Sequence, residues 1–112
     1  KWDTPFAFQW GYPNGWAPLH AIAVEGLLRY GFDEDALRIA KKYVALVESN
    51  YETTGYLWEK YNVVDGSVLV SQERLASEMP PMMGWSAGVY LYMKAVIETS
   101  RSLRICHRQE EV

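Results

Sequence analysis

"LHAIAVEGLLRYGFDEDALRIAKKYVALVESN", Leu19 to Asn50, sets two helical patterns of different kind back to back, and their contrast decides the fold class. In the first, Leu19, Ile22, Ala23, Leu27 and Tyr30 make one face and Val24 and Leu28 widen it, leaving Glu25 and Arg29 as a narrow polar strip. An apolar surface that wide predicts a helix covered on most sides. The second starts at Asp33, a good N-cap, and sets Leu37, Ala40, Tyr43, Val44 and Val47 against a broad polar face of Glu34, Arg38, Lys41, Lys42, Glu48 and Ser49. That pattern predicts an amphipathic helix with one face in solvent.

Outward from this pair the boundaries are marked by turn residues. Upstream, Pro5, Gly11, Pro13 and Gly15 predict an irregular lead-in over residues 1–15. The first helix is then expected from Trp16 to Tyr30, with Asn14 or Gly15 as its N-cap, Pro18 in the tolerant first turn and Gly31 as its stop. Residues 51–85 show no sustained period apart from a possible short helix at Ser71 to Ser77, but Tyr56, Leu57, Trp58 and Tyr61 argue against disorder there. Long irregular stretches that keep their aromatic residues are usually functional. A third helix, again mostly apolar, is expected from Ser86 to Thr99, followed by a charged, peripheral tail over residues 100–112.

The order is buried helix, amphipathic helix, long loop, buried helix: an all-α chain. Inner and outer helices alternate in a double-layered toroid, and a plain bundle accounts for so few elements equally well.

With 112 residues, of which 49% are hydrophobic and 22% charged, the chain has room for one globular domain. Its net charge of −3, with both signs interspersed, presents no basic face for nucleic acid. No apolar run reaches the roughly 20 residues that a membrane span needs. Cys106 is the single cysteine, which excludes an intrachain disulfide, and no Cys/His group has metal-ligand spacing, so neither a metal nor another cofactor is expected. Aromatic residues reach 14%, with five Trp and eight Tyr, and so many rings in a small domain are expected to line a cleft or meet further protein.

At "QWGYPNGWAP", Gln9 to Pro18, the sequence resembles a signature segment of the trehalases: Gln-Trp-Asp, any residue, Pro, any residue, a small residue, Trp, a small residue, Pro. Gly11 stands where that pattern has Asp. Two further segments follow in order: "LWEKYNVV", similar to the family's "EKYD" segment, and "GWSAGVYL", similar to its "GWTNGV" segment. The Gly-rich run ending in Glu-Tyr that trehalases place between those two is replaced by "DGSVLVSQERLASEMPP", in which Glu78 is the candidate for the family's lid glutamate.

The resemblance implies an (α/α)6 toroid and an inverting glycoside hydrolase that splits trehalose into two glucoses, with no cofactor. It places the general base at Glu59. It also implies that residues 1–99 are the C-terminal part of the catalytic domain. The general acid, an Asp, and the sugar-gripping arginines would lie in an upstream segment or another chain. On that reading the partners are a disaccharide or small glycoside and the remainder of the toroid, and the isolated chain is expected to be inactive. Processing α-glucosidases and mannosylglycerate or glucosylglycerate hydrolases share parts of the two later segments and remain alternatives, as does a non-catalytic helical module for carbohydrate or protein binding.

The candidate site residues have physical reasons beside the resemblance. Taken by itself, Glu59 next to Lys60 reads as a surface ion pair; within the three ordered segments it reads as the carboxylate that deprotonates water. Trp58, Tyr56 and Tyr61 are expected to wall it. Gln9 carries both a donor and an acceptor, suiting a sugar hydroxyl or a loop backbone alike. Trp10 offers a flat apolar face for a sugar ring, while Trp16 is assigned to packing. Trp85, just before the third helix, either edges the pocket or packs in the core.

Overall fold

The computed structural model describes residues 10–69, 79, 81 and 84–110, with the helical path alone for 103–110. Five elements follow in order: β1 (Asn14–Trp16), α1 (Ala17–Arg29), α2 (Asp33–Thr54), β2 (Lys60–Asn62) and α3 (Gly84–Glu110). The chain is thus mostly helical, as its periodicity predicts. The expected short helix at 71–77 lies outside the described residues.

Helix α1 begins abruptly. Trp16 occupies its N-cap with extended backbone and no side-chain cap, and a proline in the first turn removes a donor that has no intrahelical partner there. Asn14, expected as a cap, instead sits in β1. At the other end Gly31 takes a left-handed φ of 80°, while Phe32 N–H reaches the Leu27 carbonyl (2.8 Å) and Gly31 N–H that of Leu28 (3.2 Å). This is the doubly bonded glycine stop, and it satisfies two carbonyls that the helix itself cannot.

Phe32, rather than the expected Asp33, is the N-cap of α2, so Asp33, Glu34 and Asp35 all lie in the first turn, where their charge favours the helix dipole. The helix outlasts its expected end at Asn50 by a turn. Thr53 and Thr54 fold their hydroxyls back onto the carbonyls of Ser49 (3.1 Å) and Asn50 (2.6 Å), and termination falls to Gly55 at φ 75°. Helix α3 likewise runs past Thr99 to Glu110, so the charged stretch beyond residue 100 continues the helix for most of its length.

The core lies where the three helices meet. Helix α2 supplies Ala36, Leu37, Ala40, Tyr43, Val44 and Val47, its spacing of three and four residues making one continuous stripe. Val24 of α1, Met93 and Ile97 of α3, and Tyr61 of β2 close on it. The polar face of α2 points outward as its pattern predicts.

Helix α1 departs from expectation. Only Ala17 and Val24 are buried along it, and Leu19 and Ile22 are 53% and 67% exposed. The wide apolar face is real, but α2 and α3 reach only one side of it among the described residues.

Two polar tethers cross the helix interfaces. Tyr92 of α3 donates to Glu25 of α1 (2.7 Å), and Tyr90 donates to Glu48 of α2 (2.8 Å), which Lys94 also approaches at 3.5 Å. The Tyr92 hydroxyl, and after it Arg29, hold the Glu25 carboxyl below its ordinary value. The fold therefore favours the ionised form. Its contribution is present above the ordinary glutamate range and is lost as pH falls through the lowered value. Tyr92→Phe is expected to be less stable than the parent at neutral pH and to lose less on acidification, the two unfolding midpoints converging once the pH has fallen through the lowered Glu25 value in a pH-resolved denaturation series.

Candidate active site

Backbone pairing brings the similar segments together. β1 and β2 run antiparallel with Asn14 opposite Asn62, Gly15 opposite Tyr61 and Trp16 opposite Lys60. Trp58, just before β2, forms an isolated bridge with Pro81, and Ser86 in the first turn of α3 donates its buried hydroxyl to the Trp58 carbonyl (2.6 Å). Residues far apart along the chain thus meet at one end of the helices. Val63 N–H extends the ladder by donating to the Pro13 carbonyl (3.0 Å).

The β2 turn is braced from below. Asn62 Oδ1 accepts from Val64 N–H (2.9 Å), its amide donates to the Leu69 carbonyl (3.0 Å), and Asn50 of α2 donates to the Gly66 carbonyl (2.8 Å). The Trp58 indole donates to Thr54 (2.9 Å), the same hydroxyl that caps back onto α2. A site built on such a frame is positioned by rigid elements.

Gly15 is the tightest point of the ladder. A Cβ there would collide with the Val63 side chain and press on the His20 ring at 3.0 Å. Gly15→Ala is accordingly expected to cost about 1–3 kcal/mol, as overpacking does, with the loss read as a lower denaturation midpoint.

Three tryptophans cluster where the segments converge. Trp10 lies on Trp16 with centroids 3.9 Å apart and planes 11° from parallel, while Trp85 meets Trp16 edge-on at 5.7 Å and Trp10 at 6.4 Å. Trp16 is 2% exposed and Trp10 is 56% exposed. Trp16 is therefore packing, and Trp10 offers a flat surface resting on it.

The Lys60 ammonium lies 4.9 Å from the centre of the Trp16 ring and 3.2 Å from Glu59 Oε2. The side chain of Lys60 has no exposure and that of Glu59 has 14%. The ion pair read from their adjacency does form, but with the lysine buried and the glutamate partly so rather than on the surface. An aromatic face attracts a desolvated cation more strongly than an exposed one, so Trp16 and Glu59 act together on Lys60.

Of the residues expected from sequence, the structure brings Trp10, Trp85 and Glu59 around Trp16 and Lys60, and holds Trp58 on the adjoining backbone. Gln9 and Glu78 lie outside the described residues. Tyr61, expected beside Glu59, is buried in the helical core, its hydroxyl accepting from Trp58 N–H (3.2 Å) and its ionisation pushed up chiefly by burial. Tyr56 is 55% exposed and meets Trp58 edge-on. Sequence reasoning missed the burial of Lys60 and the structural use of Ser86. A groove of about 1180 Å³ between the helices, lined by Glu25, Arg38, Lys41 and Tyr92 among others, lies elsewhere and includes none of these tryptophans. Among the described residues no group of three or more His, Cys, Asp or Glu could hold a metal ion, and no helix is long and apolar enough to cross a membrane.

Compared with known families, residues 4–97 match the family described as Trehalase. The chain belongs to the trehalase family. It is 47% identical over 55 residues, 49% of its length, to the periplasmic trehalase of Pseudomonas aeruginosa. It is 42% identical over 88 residues, 74% of its length, to the "Probable trehalase" of Oryza sativa subsp. japonica. The periplasmic trehalase of Salmonella paratyphi B is 36% identical over 89 residues, 80% of the chain. The matched portions span only 10% to 15% of these relatives' own lengths. The trehalase match contains β1, β2, the tryptophan cluster and the Glu59–Lys60 pair.

Proposed function

We propose that this chain supplies the general base, Glu59, and part of the sugar-binding wall of an inverting α-glycosidase that hydrolyses trehalose. The observation that carries the reading is the nearly buried Glu59 carboxylate, tied through Lys60 to the tryptophan cluster on which Trp10 lies partly open. Membership of the trehalase family supports it. Residues 1–99 then form the C-terminal part of the catalytic toroid, with the remaining helices contributed by other parts of the protein.

In this mechanism Glu59 takes a proton from a water molecule. The water oxygen attacks the anomeric carbon from the face opposite the glycosidic oxygen. The C–O bond breaks as a second carboxylic acid protonates the leaving oxygen, and the configuration inverts. Inverting pairs stand about 6.5–9.5 Å apart to admit the water, and the acid partner is assigned to a segment beyond this chain. The 112-residue chain alone is expected to be inactive, since one carboxyl group cannot serve both faces of the sugar.

Trp10, Trp58 and Trp85 are assigned to the apolar walls, and Gln9 and Glu78 to sugar hydroxyls. Gly11, beside Trp10, brings no carboxylate where the family pattern has Asp. That substitution favours keeping a second substrate class in view, α-glucosides with a smaller acidic aglycone such as glucosylglycerate.

The test is to give the complete protein containing this chain trehalose and, separately, glucosylglycerate and mannosylglycerate, following the first products by proton NMR. One α- and one β-glucose from each trehalose is the expected result. No hydrolysis of any of the three would overturn the enzymatic reading in favour of a binding module.

A further inference from the structure

We propose that Lys60 is a positioning residue for Glu59, fixing the carboxylate for its reaction. The inference rests on Glu59 being the base, as proposed above.

Backbone geometry separates the two residues. Lys60 is the first residue of β2 and is pinned opposite Trp16 by the ladder, whereas Glu59 lies in the bend just before it. The ladder sets the path of Lys60 but leaves the carboxylate plane of Glu59 to side-chain contacts. Lys60 Nζ supplies such a contact, at 3.2 Å from Oε2. The ammonium is itself held from the other side by the Trp16 ring at 4.9 Å, and Trp16 is locked between Trp10 and Trp85. A chain of fixed contacts therefore runs from the tryptophan stack through Lys60 to one carboxylate oxygen.

A buried ion pair is in itself weak evidence of a stabilising role. Replacing both members of such a pair by apolar residues is often neutral or stabilising, whereas removing one alone leaves the other charge unpaired and destabilises the fold. A methionine would fill the same volume against Trp16 and make good contacts with its ring. What methionine cannot do is hold Oε2. The structure thus separates the two roles: packing is replaceable, and orientation of the base is not.

The test compares Lys60→Met, Lys60→Arg and Glu59→Gln in the complete protein, with trehalose as substrate. Lys60→Met is expected to lower kcat about 10- to 100-fold, the scale of a misplaced catalytic group, with KM changed less than about twofold and a thermal midpoint lowered by the unpaired Glu59 carboxylate but still above the assay temperature. Lys60→Arg keeps a charge within reach of Oε2 and is expected to recover most of kcat. In a Glu59→Gln background Lys60→Met should produce no further fall, because its effect passes through Glu59. If Met at this position prevents folding, Lys60→Gln carries the same comparison.

Parental kcat in the folded Lys60→Met or Lys60→Gln protein, with Glu59→Gln inactive, would overturn the proposal and leave the general base intact. A loss of kcat no larger than the unfolded fraction explains, or one that persists undiminished in the Glu59→Gln background, would overturn it as well. Full turnover by Glu59→Gln would instead remove the reading on which it rests.

Discussion

Glu59→Gln is expected to reduce trehalose turnover by the complete protein about 10²- to 10⁴-fold, the contribution of a positioned general base. Glutamine matches glutamate in shape and still offers a carbonyl oxygen towards Lys60, so the frame around it should persist. What it lacks is a proton acceptor of useful basicity. KM or the calorimetric affinity for trehalose should accordingly stay near the parent value while kcat collapses, because the loss falls on the transition state rather than on ground-state binding. Equal losses in kcat/KM and in binding would mean that Glu59 holds the sugar instead of activating water.

Trp16→Ala carries the second large effect, on stability. Trp16 is 2% exposed, and its ring is the surface on which Trp10 stacks, Trp85 abuts and the Lys60 ammonium rests. Truncating a buried tryptophan typically costs about 3–5 kcal/mol through lost contacts and the cavity left behind. Here it also exposes Lys60 to a void, so the upper part of that range is expected in chemical denaturation. Trp16→Phe keeps an aromatic face and should recover about half of the loss. Turnover should fall in both variants by more than the unfolded fraction explains, since the Lys60–Glu59 pair is supported through this ring.

What the sequence made legible, and what it did not, follows from the range of the forces involved. The three helices were readable because their apolar residues recur at local spacing. Gly31 ends the first of them at a left-handed φ where the sequence places its stop, whereas the end of α2 at Gly55 lies beyond its apolar stripe and was not read. The two strands were invisible: three residues each are too few to show a period, and their pairing joins positions 14–16 to 60–62. Asn14 was misread for the same reason. As the residue before a helix it looked like a cap, but the ladder had already claimed it. The Lys60 side chain shows the limit most clearly. Adjacent Glu and Lys on a loop suggest a solvated pair, and only the fold places a tryptophan over the lysine. The candidate carboxylate itself was legible, through resemblance of whole segments and not through its own spacing.

The uncovered face of α1 has a consequence for the life of the protein in a cell. Leu19 and Ile22 stand well exposed on a helix whose composition is that of an interior. Wherever that face is left bare, it offers the kind of greasy surface by which chaperones retain a polypeptide and proteases dispose of it. A substitution on Leu19 or Ile22 would then register first as a change in cellular abundance, before any assay of chemistry detected it.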